Sequence, residues 1–257
     1  MQVNSFEEFR SHWGGLHNFL IGNGLIPFDY EAPPLHDLLD LLRHDPDSRF
    51  LLGTSDVNNF SREEPPAEWK SIPIEEFAKK PFNLGHFDIT KFDRTAGLLE
   101  GFTDGVVEPL RSKLERGGFS FSDWLKPYIF SNGPGCCSTY HMDFSHVLAW
   151  QQYGVKHFCS FRNPDHYATP VQRRAFMDLD IAERPGMPDS LQETDIVDHE
   201  MGPGSLLWNA FNTPHWVCAG DSASLSINIS FRGLRLDGTL CPREIEVDLW
   251  REQKESA

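Results

Sequence analysis

Short apolar runs separated by turns after about residue 125, an absence of regular helices between those runs, and helix-like periodicity in the first third predict a mainly β chain with α additions. The expected architecture is an antiparallel barrel or sandwich with N-terminal helices packed outside it. At 257 residues the chain fits one β-domain. Residues 1–125 read as a helical and loop part, 126–235 as the barrel core and 236–257 as a C-terminal tail.

Pro33 and Pro34 introduce an apolar-periodic run, Leu35 to Leu42, that ends at the Asp45-Pro46-Asp47 turn signal and reads as a helix. Asn58 to Pro81, rich in Pro, Glu and Lys, reads as a loop over a barrel mouth with one short helix at Pro73 to Lys79. A longer helix is expected over Asp93 to Arg116, kinked or divided at Pro109 and closed by Gly117-Gly118. After Trp124 the strand-like runs are Tyr128–Phe130, His146–Trp150, His157–Phe161, Ser205–Trp208, His215–Cys218 and Leu225–Phe231. Residues 162–200 form a polar insertion with one helix at Val171 to Met177. Arg243 to Lys254 reads as a terminal helix.

There are 38 acidic and 23 basic residues, giving a formal charge of −15. That balance, with no Lys/Arg block, argues against a nucleic-acid partner. No apolar segment of signal or membrane-spanning kind is present, so a cytoplasmic protein without membrane attachment is expected. The five cysteines, 136, 137, 159, 218 and 241, include no pair of zinc-site spacing, and neighbours 136 and 137 are badly placed to bond each other. Reduced, packed thiols are expected.

The densest chemical signal is His141-Met142-Asp143. In an extended chain residues i and i+2 share a face, so imidazole and carboxylate converge. A third ligand would be His215, in Asn212-Thr213-Pro214-His215-Trp216. Two imidazoles and one carboxylate suit non-haem Fe(II), leaving cis positions for a bidentate 2-oxo acid and O2. The run Ser224 to Phe231 alternates polar and apolar residues, and a ligand-filled barrel would turn its polar row inward.

Ile129 to Gly135, Ser138 to Asp143, Gln151 to Lys156 and the glycine-led Gly202 to His215 together resemble the jumonji-C family over about Tyr128 to Phe231. The resemblance implies a double-stranded β-helix (jelly-roll, cupin-like) and an Fe(II)- and 2-oxoglutarate-dependent oxygenase, with O2 as the oxidant. By the same resemblance, His141, Asp143 and His215 would hold the metal. Lys156 would pair with the distal carboxylate of 2-oxoglutarate, Ser138 would hydrogen-bond to it, and Asn228 would contact the metal-bound carboxylate. The chain departs from the family at Val147, where many members have Asn, and at Pro214, where an aromatic is frequent. Asn228, a water or a different co-substrate pose would compensate for Val147. Tyr128 is the candidate for the upstream Tyr that often shares the distal carboxylate.

Other residues read as ordinary structure. His12, His17, His36, His44, His86, His166 and His199 have no partner at a telling spacing. In a strand His146 falls on the face opposite His141 and Asp143. Trp150, Trp208, Trp216 and Phe211 read as core or barrel wall, and Asn209 and Asn212 as candidates for substrate hydrogen bonds at the mouth. The expected activity is hydroxylation of an amino acid, peptide, natural-product precursor or protein side chain, with succinate and CO2 as co-products. The alternatives are N-demethylation by the same chemistry, a metal cupin enzyme independent of 2-oxoglutarate, and a non-catalytic binding protein. Relatives that dimerise through C-terminal helices make a homodimer an expectation.

Overall fold

The structure, a computed structural model, describes residues 1–15, 18–22, 24–58, 61–94, 97–122, 125–178 and 186–255. His17 and Trp124 lie outside the described residues. The strands, in chain order, are β1 (Gln2–Val3), β2 (Asn18–Ile21), β3 (Arg49–Leu52), β4 (Phe82–His86), β5 (Phe119–Ser120), β6 (Leu125–Asn132), β7 (His141–Met142) and β8 (His146–Tyr153). They continue with β9 (Lys156–Phe161), β10 (Ile196–Met201), β11 (Leu206–Asn209), β12 (Pro214–Ala219), β13 (Ser224–Phe231), β14 (Arg235–Leu236) and β15 (Thr239–Leu240).

An eight-stranded sheet has the order β1-β2-β11-β8-β13-β6-β4-β3, and a four-stranded sheet the order β10-β9-β12-β7. Strands β6 to β13 divide evenly between them, β6, β8, β11 and β13 in the large sheet and β7, β9, β10 and β12 in the small one. All pairings among these eight are antiparallel. The result is the expected jelly-roll, two sheets facing across a cavity of about 510 Å³ lined from both.

The main core lies on the far side of the large sheet. Strand β13 shows why: Leu225, Ile227, Ile229 and Phe231 are at most 1% exposed and join the core with Phe9, Leu38 and Trp208, while Ser226, Asn228 and Ser230 line the cavity. The period-2 alternation therefore splits a fully buried strand between a dry face and a ligand face. Each large apolar side chain in that core contributes roughly 1.5–3 kcal/mol of burial.

The helices Leu35–His44, Ile74–Phe77, Pro170–Asp178 and Pro242–Glu255 stand where the sequence predicts them. Three expectations are corrected. Residues 1–125 are not only helix and loop, because β1 to β4 extend the large sheet at both ends. These strands span two to five residues, too short for their periodicity to register. The single helix over 93–116 is instead Thr90–Arg94, a wide π-turn at Thr103–Val107 and Glu108–Arg116. Gly101, at φ 78°, breaks the first part, and Pro109 fits only near a helix start, where its missing N–H is tolerated. The polar insertion, finally, returns as β10 to pair with β9.

The cysteines carry a further correction. Cys137 and Cys218 face each other at an antiparallel bridge, Cα–Cα 4.0 Å, and form a disulfide. Their separation of 81 residues hides the pair from spacing arguments. Cys136, Cys159 and Cys241 are free and buried, as expected. Among the described residues no helix is long and apolar enough to cross a membrane.

Candidate metal centre

The stretch His141-Met142-Asp143 sits on and just beyond β7, and His215 lies directly opposite His141 in the β12–β7 register. Strand pairing thus places two imidazoles side by side, ring centroids 4.2 Å apart, over the carboxylate supplied two residues after His141. One ligand atom from each of the three lies within 4.8 Å of the others. Nε2 of His141 is 3.6 Å from Oδ1 of Asp143, and Nε2 of His215 is 3.5 Å from Oδ2. Metal bonds of about 2.1 Å at right angles would need about 3 Å between donor atoms, so a small contraction closes the set.

The rings are oriented for ligation. Nδ1 of His141 lies 2.6 Å from the Thr139 carbonyl, and Nδ1 of His215 lies 2.9 Å from that of Thr213. A carbonyl only accepts, so each Nδ1 carries the proton and each Nε2 offers a lone pair to the shared point. Phe158 stacks on His215 at 4.8 Å and 11°. Burial, and then the neighbouring His141, push the His215 imidazole down to about 4, which keeps it neutral. Asn212 takes φ 56° at the turn before β12 and donates its N–H to the Asp143 carbonyl at 2.9 Å. Two imidazoles and a carboxylate, pre-oriented on one side of an open cavity, are a donor set that fits Fe(II).

Lys156 opens β9 after a tight turn from the large sheet to the small one that Gly154 makes possible. Its φ is 65°, and an added Cβ would lie 2.5 Å from the Ala223 carbonyl. The lysine is 3% exposed, and its Nζ donates to the Phe130 carbonyl and to Ser226 Oγ, both at 2.9 Å. Burial lowers its pKa to about 7. Ser138 is held to β12, its Oγ accepting from the Val217 N–H at 2.9 Å, and faces the same cavity, as does Asn228.

No protein-family model matches the sequence, and no curated protein matches it. Among solved structures, the X-ray structure of E. coli YcfD superposes with a TM-score of 0.56 at 17% identity, covering 88% of this chain and 52% of that one. A second structure, of YcfD described as a ribosomal oxygenase from Escherichia coli, gives 0.53 at 16% identity, with 88% and 51% covered. The chain shares its fold with a ribosomal oxygenase. It spans about half the length of the YcfD chains.

Within the fold shared with YcfD, Asn209, Asn212 and Tyr128 stand elsewhere than the sequence suggests, whereas His146 and the tryptophans stand where it puts them. Asn209 and Asn212 are not at the mouth: they are 0% and 2% exposed, and Asn209 Nδ2 donates to Asp143 Oδ2 at 2.8 Å. Tyr128 reaches Ser230 and the Asp143 side rather than Lys156. Burial, and then Asp143, push its phenol well above the usual range, so it stays protonated. His146 faces away, against Trp13 and Glu244. Trp150, Trp208, Trp216 and Phe211 pack outside the cavity, whose aromatic residues are Phe87, Tyr128, Phe130 and Phe158. Ser226, the partner of Lys156, was visible only as one member of the inward polar row. A second cluster, Asp45, Asp47 and His86, has its charge met by Lys91, whose Nζ lies 2.7 Å from both Asp45 Oδ1 and Asp47 Oδ2.

Proposed function

We propose that the protein is an Fe(II)- and 2-oxoglutarate-dependent oxygenase that hydroxylates an unactivated C–H bond. One observation carries the reading: the His141, Asp143 and His215 donor set and the buried ammonium of Lys156 share a single cavity. A metal cupin that did not use an acidic co-substrate would have no use for a lysine so fully desolvated, since burial works against its charge.

In this reading His141, Asp143 and His215 hold the metal. Lys156 and Ser226 receive the distal carboxylate of 2-oxoglutarate in a charge-assisted pair, with Ser138 turning its hydroxyl proton to the same ligand. Asn228, beside Tyr128 and Ala149 in the strand register, faces the metal-bound end. The bound metal, with 2-oxoglutarate and O2, would supply oxidative decarboxylation to succinate and CO2 coupled to C–H oxidation. Asn209 and the two threonine carbonyls hold the ligands in place, and the protonated Tyr128 offers a hydrogen bond near Asp143. Residues 1–257 would act as one catalytic unit on an amino acid, a peptide, a natural-product precursor or a protein side chain, and the likeness to a ribosomal oxygenase supports the last of these. Oxidation of an N-methyl carbon would give demethylation from the same residues.

Anaerobic loading with Fe(II) and 2-oxoglutarate, followed by O2, tests the proposal. Succinate and CO2 are expected even without substrate, at a low uncoupled rate. No succinate, together with unchanged 2-oxoglutarate binding in Lys156→Ala, overturns it.

A further inference from the structure

We infer that Asn18 is a positioning residue for the metal centre, its side-chain amide donating, directly or across one water, to Oδ1 of Asn209 and so turning the Asn209 amide towards Asp143. The inference rests on the metal site of the proposed oxygenase and adds to it a residue of β2, a strand outside the eight that form the jelly-roll.

The starting observation is a pair of buried amides with unmet polar atoms. Asn209 Nδ2 donates to Asp143 Oδ2 at 2.8 Å, yet Asn209 Oδ1, equally buried, meets no donor among the described residues. Asn18 is 6% exposed, and neither Oδ1 nor Nδ2 of its side chain has a partner among those residues. The two amides stand directly opposite each other in the antiparallel β2–β11 register. Side chains so placed share a face, with Cβ atoms about 4.5–5.5 Å apart, within reach of an amide-to-amide hydrogen bond or one bridging water. Leaving a buried donor and acceptor unmet side by side is costly, so each is the natural partner of the other.

The shared face is the inner one. Leu20 and Leu207, each two residues along from these amides, pack with Ala149 and Phe158 between the sheets, and Val147, opposite Asn209 on β8, lines the cavity. The Asn18 backbone is anchored there as well. Its carbonyl accepts from Nε2 of the buried His199 at 3.2 Å, and His199 pairs on β10 with Phe158, the ring stacked on His215. Amide chemistry gives the contact its consequence. An Asn side chain can present either its NH2 or its oxygen to a neighbour, and only the NH2 suits a carboxylate. Turned the other way, Asn209 would set one acceptor against another at Asp143. A donor on the far side of Asn209 selects the productive orientation and polarises its NH2, so that Asn18, Asn209 and Asp143 form a chain of hydrogen bonds ending on a metal ligand. The Thr213 hydroxyl is also buried and unmet, but it stands in the turn before β12, outside the β2–β11 register.

Co(II) binding to the full chain, read by calorimetry and by the visible spectrum, tests the inference in a double-mutant cycle of Asn18→Ala and Asn209→Ala. Asn18→Ala is expected to weaken Co(II) binding about tenfold and to move the spectrum in the direction in which Asn209→Ala moves it. Made in the Asn209→Ala background, the same substitution is expected to change the affinity less than about twofold, because its route to Asp143 is already cut. A structural role alone would lower the melting temperature and leave the affinity and spectrum of the folded protein as they were. That result, or an equal loss with and without the Asn209 side chain, overturns the inference. A crystal structure of the unsubstituted chain is the second measurement, independent of how the variants fold. It is expected to show Asn18 Nδ2, or a water held by it, on Asn209 Oδ1, and a different donor there, such as the Thr213 hydroxyl, overturns the inference. A parent chain that binds Co(II) but not 2-oxoglutarate overturns the oxygenase reading instead and leaves this inference standing.

Discussion

Asn209 donates a hydrogen bond from Nδ2 to Oδ2 of Asp143 at 2.8 Å, although 66 residues separate them. Asn209 also stands directly opposite Val147 in the β11–β8 register. An amide thus reaches the centre from the neighbouring strand, beside the position where the jumonji-C pattern often has Asn. Its effect is to fix the carboxylate plane before any metal arrives.

Asn209→Ala is expected to weaken Co(II) or Fe(II) binding roughly 10- to 100-fold, the usual penalty for removing a group that orients a ligand. The visible spectrum of the Co(II) protein should change as Asp143 reorients. A merely structural role would lower the melting temperature and leave the spectrum of the folded protein as it was.

Lys156 gives a pH dependence. Its depressed pKa of about 7 means that the unliganded lysine loses its proton as pH rises through neutrality, whereas a bound dicarboxylate favours the charged form. Affinity for 2-oxoglutarate should be flat below about pH 6.5 and fall by up to about tenfold per unit above 7. Calorimetry at pH 8 in two buffers of different ionisation enthalpy should register uptake of close to one proton per ligand. Lys156→Met should bind 2-oxoglutarate about 10- to 100-fold more weakly at pH 6.5.

Glu244, 5% exposed, anchors the C-terminal helix by accepting the amides of Gly233 at 2.9 Å and Leu234 at 3.2 Å and facing His146 Nε2 at 3.3 Å. The Phe211 N–H donates to His146 Nδ1, which puts the ring proton on Nε2, towards the carboxylate. Burial opposes the charge of Glu244, but the His146 contact and the two amides outweigh it and hold its pKa below the usual value of 4.5. Stability from this group is therefore complete above about pH 4.5 and lost as pH falls through the lower folded value. Glu244→Gln should cost about 1–3 kcal/mol at pH 7 in urea denaturation, with the difference from the parent shrinking towards pH 3.

The Cys137–Cys218 bond closes a loop of 81 residues, for which chain entropy gives a stabilisation of up to about 4.5 kcal/mol. Reduction should lower the melting temperature by on the order of 10 °C, and Cys137→Ser with Cys218→Ser should reproduce the reduced value. Scanning calorimetry with and without a phosphine reductant measures both.

Several features were legible because they are local. His141 and Asp143 declare themselves by i, i+2 spacing, and the two faces of β13 by alternation. The helices at Leu35–His44 and Pro242–Glu255 carry enough apolar residues at helical spacing to be read directly. Lys156 was legible only through the family resemblance, one residue before the expected strand His157–Phe161. The short edge strands β1 to β4 were not, because two to five residues give too little periodicity to separate strand from loop.

The sequence by itself determined that the second half of the chain is an antiparallel β-structure, the type of donor atoms and which face of the strand holds His141 and Asp143, since alternation and turn chemistry act within a few residues. Only tertiary structure decided that His215 stands opposite His141, that Asn209 rather than a residue near Val147 steadies Asp143, that Ser226 receives Lys156, and that Cys137 meets Cys218. The physical reason is common to all four. Each contact joins segments far apart in the chain, and strand register together with the packing of one sheet on the other chooses the partner.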